Sequence, residues 1–225
     1  MALILDDLAC RRGGRTVFAG LSFTVPAGTA ALLRGPNGAG KSSLLRVIAG
    51  LLPPAAGEVR LGDILLSRDP AAMQEAVAFA GHLDAVKPAL TVAENLALWA
   101  GILGAGRERA GAALERFGLA RMADRPAGQC SAGQRRRLGL ARLLVTERPL
   151  WLLDEPTVSL DAGSTALVAG LVREHAARGG IALIATHIDL GLGTVPVLEM
   201  AETTRTGGRG DATLPEDAFL AGRWA

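Results

Sequence analysis

The sequence predicts an α/β fold, with an antiparallel β portion first, a parallel-sheet core and a helical insertion between the two parts of that core. Three observations carry the prediction. Short β-rich runs divided by turn residues open the chain, and a strand, a glycine loop and a helix follow one another between Leu32 and Ala49. Strand–helix–strand alternation then returns between Leu150 and Ala185 after a long helical stretch.

The opening runs are Ala2 to Leu5, Leu21 to Val25 and Thr29 to Leu33, separated by Gly13-Gly14 and by Pro26-Ala27-Gly28. Together they read as an antiparallel start. From Gly35 the pattern changes, and Lys41 to Ala49 predicts a helix with Leu44, Leu45 and Ile48 on one face. Helical signals dominate from about His82 to Arg148. Within that stretch Thr91-x-x-Glu94 is a capping box opening a helix through Trp99, and Glu108 to Phe117 forms a second amphipathic helix. A strand is expected at Leu150 to Leu153, a helix over Ser164 to Arg178 and a further strand at Ile181 to Ala185. After Ile188 the signal fades, and Thr203 to Asp211, rich in Gly and Thr, reads as a loose connection before a short end-piece. One domain is expected over residues 1–225, with a β and α/β core at 1–81 and 149–225 and a helical subdomain at 82–148.

At roughly 150 residues per domain, a chain of 225 residues fits one compact unit with an insertion. Its 49% hydrophobic and 20% charged residues exclude the polar composition of disordered chains. With 24 Lys and Arg against 22 Asp and Glu the net charge is only +2, which gives no support to nucleic-acid binding. The uncharged stretch from Phe18 to Leu33 is broken by Gly20, Pro26 and Gly28, so it is no membrane span of about 20 apolar residues. Asp6 and Asp7 near the start, without a basic flank, argue against a secretory signal. Two cysteines, Cys10 and Cys130, make a poor disulfide framework, and a reducing cytoplasm is the expected compartment.

Gly35-Pro36-Asn37-Gly38-Ala39-Gly40-Lys41-Ser42 fits G-x-x-x-x-G-K-[ST] after an apolar strand and at the opening of a helix, with Ser43 next in the first turn. Its glycines let backbone N–H groups curl around phosphate oxygens, and the helix N-terminus adds partial positive charge. Lys41 then points a charge at the β- and γ-phosphates, and the Ser42 hydroxyl is placed for Mg²⁺. Downstream, Leu150-Trp151-Leu152-Leu153-Asp154-Glu155 delivers two carboxylates at the end of a buried strand. Asp154 suits a Mg²⁺ shell, and Glu155 suits the orientation or deprotonation of an attacking water. Without the phosphate loop, Asp-Glu-Pro would read simply as a strand terminator.

Cys130-Ser131-Ala132-Gly133-Gln134, followed by Arg135-Arg136-Arg137, resembles the Leu-Ser-Gly-Gly-Gln signature of ATP-binding cassette (ABC) ATPases, with Cys130 and Ala132 as departures. Read as residues alone, Ser131-x-x-Gln134 is a capping box that could open any helix, and the arginines a solvated face or a nucleic-acid patch. The resemblance runs to about Leu198. It implies a P-loop NTPase that binds and hydrolyses ATP with Mg²⁺. In it, Val158-Ser159-Leu160-Asp161 matches the D-loop and Thr186-His187 the switch histidine. His82 stands where the family usually has a glutamine, and Arg12 where it usually has an aromatic residue under the adenine. An arginine plane can stack on a base. Imidazole, with a reference pKa of about 6.5, is expected to make activity fall at low pH if His82 takes the glutamine's role.

Within ABC ATPases the chain is most similar to the ATPase subunits of cytochrome c maturation transporters. The similarity rests on Leu21-Ser22-Phe23, Gly81-His82, Lys87 with Leu90-Thr91-x-x-Glu94-Asn95-Leu96, the Ser131-Ala132-Gly133-Gln134 signature and no regulatory C-terminal domain. It implies two copies that sandwich two ATP molecules head to tail. In each site Ser131, Ala132, Gly133, Gln134 and Asp161 of one copy reach the nucleotide held by the other. Integral membrane subunits are implied as partners, at the cytoplasmic face of the bacterial inner membrane, with haem export or release of a haem-loaded chaperone as the work done and no nucleic acid involved. The ATPase of another ABC transporter, or a soluble non-transport ABC ATPase, remains as an alternative.

Overall fold

The computed structural model describes residues 1–201. Strands β1 (Ala2–Arg12) and β2 (Arg15–Pro26) form an antiparallel hairpin, turned by Gly13 and Gly14 with Arg12 opposite Arg15. Both glycines have positive φ, the geometry of a tight two-residue hairpin turn. β4 (Ala56–Leu61) and β5 (Ile64–Leu65) complete a four-stranded antiparallel sheet in the order β2-β1-β4-β5. The second sheet has the order β6-β7-β8-β3-β9 and is parallel throughout, with β3 at Thr29–Arg34, β6 at Val77–Ala80, β7 at Leu150–Asp154, β8 at Ile181–Ala185 and β9 at Val197–Glu199.

Two hydrophobic cores flank this parallel sheet, because alternate residues of each strand point to opposite faces. Ala31, Leu33, Leu150, Leu152, Ile181 and Leu183 enter the core shared with the antiparallel sheet and helix α1 (Lys41–Ile48). Leu32, Trp151, Leu153, Ala182 and Ile184 enter the other. There they meet α3 (Val92–Ile102), α4 (Arg107–Arg116), α5 (Ala132–Ala141) and α6 (Ala162–Ala177). A short helix α2 (Pro70–Ala76) precedes β6. Its Asp69 cap accepts a bond from the Ala72 N–H, and Pro70 sits where a missing N–H costs nothing.

The α/β class is as expected, and three details of the sequence reading are corrected. Thr29 to Leu33 does not belong to the antiparallel start: β3 pairs in parallel with β8 and β9, and it is apolar along its length because both its faces are buried. The helix opened by Thr91 continues past Trp99 to Ile102. The signal after Ile188 fades in composition only, since β9 adds an edge strand beside β3. The expected loose connection at Thr203 to Asp211 lies outside the described residues. No helix among the described residues is long and apolar enough to cross a membrane, and Cys10 and Cys130 are both free and buried.

Candidate active site

Four loops leave the carboxyl edge of the parallel sheet side by side, the place where open α/β sheets bind ligands. Leu33 of β3 and Asp154 of β7 both stand level with Ala185 of β8. Two residues further on lie Gly35 and His187, and one further lies Glu155. Gly81 and His82 leave the end of β6, the neighbour of β7.

The phosphate loop turns into α1 at Gly40, which has φ 95° and supplies no side-chain cap, so the first N–H groups of the helix remain available to an anion. A Cβ there would stand 2.6 Å from Val17 Cγ1 and 3.2 Å from Phe18 Cδ1, so both conformation and space demand glycine. Lys41 is buried at 8% exposure, and its Nζ donates to the carbonyls of Gly35 (2.7 Å) and Pro36 (3.0 Å). His187 Nε2 lies 3.2 Å from the same Nζ, with Asn37 Oδ1 3.1 Å away. Glu155 Oε1 approaches this nitrogen to 3.4 Å. An ammonium can only donate and amide or carboxylate oxygens only accept, so the tautomer of His187 decides which of these neighbours Nε2 bonds. The Glu155 carboxylate oxygen is buried with no hydrogen-bond partner among the described residues, and is available to accept a proton.

Glu155 has φ 47°, a left-handed conformation that costs a residue with a Cβ about 1–3 kcal/mol and persists only where its surroundings hold it. They do so from both sides. Its N–H donates to Ala185 O (2.8 Å), and its carbonyl accepts from Arg136 Nη2 (2.7 Å). The Asp154 side chain is buried at the end of β7, and Ser42 follows Lys41 in the first turn of α1. A hydroxyl and a carboxylate are oxygen donors, the chemistry that suits Mg²⁺.

Ser131 and Ala132, both exposed, stand at the start of α5. Ser131 Oγ accepts from the Gln134 N–H (3.2 Å), and Gln134 Oε1 accepts from the Ser131 N–H (2.8 Å), closing the expected capping box. Gly133 sits against the loop after the acid pair, where a Cβ would come 2.8 Å from Ser159 O. Asp161 caps α6 by accepting from the Ser164 N–H at 2.7 Å, and that bond holds its carboxyl below the usual range.

Two expected residues stand apart from the Lys41–His187–Glu155 group. The His82 ring is exposed and makes no hydrogen bond with a described residue; it lines a cavity of about 690 Å³ with Arg46, Phe79, Trp99, Arg142 and Arg148. Arg142 stacks over the Trp99 ring at 5.0 Å, and burial first of all pushes its pKa down to about 10. Arg12 is at the tip of the β1–β2 hairpin, and this sheet meets the phosphate loop through Val17 and Phe18.

The arginine run is not a solvated face. Arg136 is 5% exposed, Arg137 Nη1 donates to Phe117 O (3.1 Å), and Arg135 donates to Cys130 O. Sequence reasoning missed the buried Arg136, although its spacing of three and four residues from buried Gly139 and Leu140 was a legible sign. It also missed the role of Asn95, which is buried and fixes the loop before α3: its Oδ1 accepts from the Lys87 N–H (2.7 Å), and its Nδ2 donates to the carbonyls of Lys87 (3.0 Å) and Thr91 (2.9 Å).

The ABC transporter family model matches residues 18–158. Over 201 residues the chain is 58% identical to the "Cytochrome c biogenesis ATP-binding export protein CcmA" of Cereibacter sphaeroides, covering 89% of this chain and 90% of that one. The chain belongs to the ABC transporter family, in its CcmA branch. The protein of the same name from Ruegeria pomeroyi is 56% identical over 192 residues, 85% of this chain and 88% of that one. A solved ATP-binding subunit of an ABC transporter superposes with a TM-score of 0.80 at 25% identity, covering 91% of this chain and 89% of the other. As an ABC ATPase the chain binds ATP and hydrolyses it in the service of transport.

Proposed function

We propose that this ABC ATPase powers the cytochrome c biogenesis exporter for which its relatives are named, driving haem export or the release of a haem-loaded chaperone. The observation that carries the catalytic part is the position of His187 Nε2 between two sequence-distant groups at one sheet edge, 3.2 Å from Lys41 Nζ and 3.4 Å from Glu155 Oε1. The likeness to proteins named for cytochrome c biogenesis supports the cargo.

On this reading Gly35, Pro36, Asn37, Gly38, Ala39, Gly40 and Ser43 wrap the phosphates with Lys41, and ATP draws Nζ away from the Gly35 and Pro36 carbonyls. Ser42 and Asp154 would hold Mg²⁺, with His82 as a further contact from the loop after β6. The ion, when bound, neutralises charge on the β- and γ-phosphate oxygens. Glu155 Oε1 takes a proton from the attacking water, and His187 Nε2 donates to the γ-phosphate. Arg12 stacks on adenine. A second copy brings Ser131, Ala132, Gly133, Gln134 and Asp161 to the nucleotide, so both sites need the dimer. Membrane subunits hold the pair at the cytoplasmic face of the inner membrane.

Purification of the tagged full chain from membranes tests this. Recovery with the membrane subunits of a cytochrome c biogenesis system, and loss of c-type cytochromes when the chain is deleted, is the expected result. Recovery with a different permease would assign another cargo, and recovery with ribosomes or nucleic acid would remove the transport reading.

A further inference from the structure

We propose that Arg136 is a positioning residue for hydrolysis, tying helix α5, which faces the partner's nucleotide, to the backbone of Glu155 and to the loop of His82. This rests on the reading of Glu155 as the base. The guanidinium is buried and uses both edges of its fork. On one edge Nε donates to Pro156 O (3.1 Å), while Nη2 donates to Asp154 O (3.0 Å) and Glu155 O (2.7 Å). Nη1 reaches the other way, to Gly81 O (3.0 Å), His82 O (3.3 Å) and Asp84 Oδ1 (3.0 Å).

Two consequences follow from that geometry. The first concerns orientation: Glu155 is held at positive φ, a conformation that persists only where its surroundings fix it, and Arg136 Nη2 makes the shorter of the two bonds to its carbonyl, 2.7 Å against 3.3 Å from the Val158 N–H. The second concerns communication. Arg136 lies one turn beyond Gly133 and one turn before Leu140, and at Gly139 the loop comes so close that a Cβ would stand 2.6 Å from Asp84 O. A shift of α5 on meeting the partner's nucleotide is therefore passed directly to the peptide of the chain's own base. None of the acceptors of Arg136 is in the phosphate loop, so the backbone that wraps the phosphates is not held by it.

Arg136→Lys keeps the charge but gathers three donors on one nitrogen, too few and too close together to span both edges. In the full chain assembled with its membrane partners, kcat for ATP is expected to fall about 10- to 100-fold, the scale of a misplaced catalytic group, with ATP affinity within about twofold of wild type. Arg136→Gln, which has only two donors, should fall further than Arg136→Lys. A purely structural arginine would instead lower the fraction of chain that binds ATP and leave the rate per bound ATP unchanged; that outcome, or wild-type kcat in Arg136→Lys, overturns the proposal. Should Arg136→Lys not fold, Asp84→Asn carries the test, because it removes the charge from one partly exposed acceptor with almost no change of shape. There kcat should fall a few-fold at unchanged ATP affinity, about the difference between a charge-assisted and a neutral bond, and an unchanged kcat overturns the proposal. Glu155→Gln measured in parallel keeps the two ideas apart. Full activity in Glu155→Gln removes the base itself, whereas lost activity there with full activity in Arg136→Lys removes the positioning role alone.

Discussion

Replacing Glu155 with glutamine alters little in the fold and much in the chemistry, and both magnitudes can be worked from the structure. The Oε1 atom accepts no hydrogen bond from a described residue, so exchanging it for an amide breaks none. The backbone bonds to Ala185 O and from Arg136 are untouched. Stability should stay within about 0.5 kcal/mol of wild type. Turnover is another matter, because an amide cannot take a proton from water. Loss of a general base costs about 10²- to 10⁴-fold, or about 2.7–5.4 kcal/mol of barrier at 1.36 kcal/mol per decade. ATP affinity should be unchanged or slightly higher, since a negative charge has left the neighbourhood of His187 and Lys41 and the incoming triphosphate is itself an anion. Phosphate release under saturating Mg-ATP, equilibrium ATP binding and the fraction of ATP-bound dimer by size-exclusion chromatography are the measurements. Turnover within about fivefold of wild type, with ATP bound normally, would refute Glu155 as the base.

Glu155→Gly removes the Cβ that makes φ 47° costly, and should raise stability by about 1 kcal/mol while abolishing turnover; a loss of stability in chemical denaturation would show that the conformation carries no strain. His175 is stacked on Trp151 at 4.1 Å with its Nε2 3.2 Å from Ile181 O, and burial lowers its pKa below the ordinary value. The unfolded chain therefore takes up a proton near pH 6.5 that the folded chain refuses, so stability is complete above about pH 6.5 and declines as the pH falls toward the lowered folded value. His175→Phe keeps a ring on Trp151 and should shrink the drop in melting temperature between about pH 7.5 and 5.5; equal drops in both proteins would place the titration elsewhere.

The elements legible in the sequence were those whose signal is local. The capping boxes at Thr91 and Ser131 and the strands at Leu150 and Ile181 stand where the residues put them, because a cap needs only its own first turn and a doubly buried strand needs only an apolar run. Strand partnership is not local. β3 is as apolar as any core strand, and nothing within Thr29 to Leu33 says that its neighbours are β8 and β9 and not the hairpin before it. β4 and β6 were lost for a related reason: Gly57, Glu58 and Arg60 dilute one, and the other spans only Val77–Ala80, too short to show a period.

In the site, the phosphate loop and acid pair could be proposed from the sequence because phosphate and metal chemistry restrict which residues can serve and at what spacing. His187 was readable only through the resemblance, and its contact with Lys41 joins residues 146 positions apart, brought together by the parallel pairing of β3 with β8. Arg136 shows why the remainder was hidden. A run of three arginines reads as a solvated face under any compositional rule, since a buried guanidinium is tolerated only where its donors are met. Here those acceptors are mostly backbone carbonyls of the loops around residues 81 and 155, and carbonyls have no signature in a sequence. The acceptors exist because Glu155 turns into the left-handed region and the His82 loop folds against Gly139, so the arginine's burial and the unusual backbone of Glu155 are one fact seen from two sides. Such a pair is invisible to any reading that takes residues one segment at a time, and the strained backbone at Glu155 is the structural sign by which it is found.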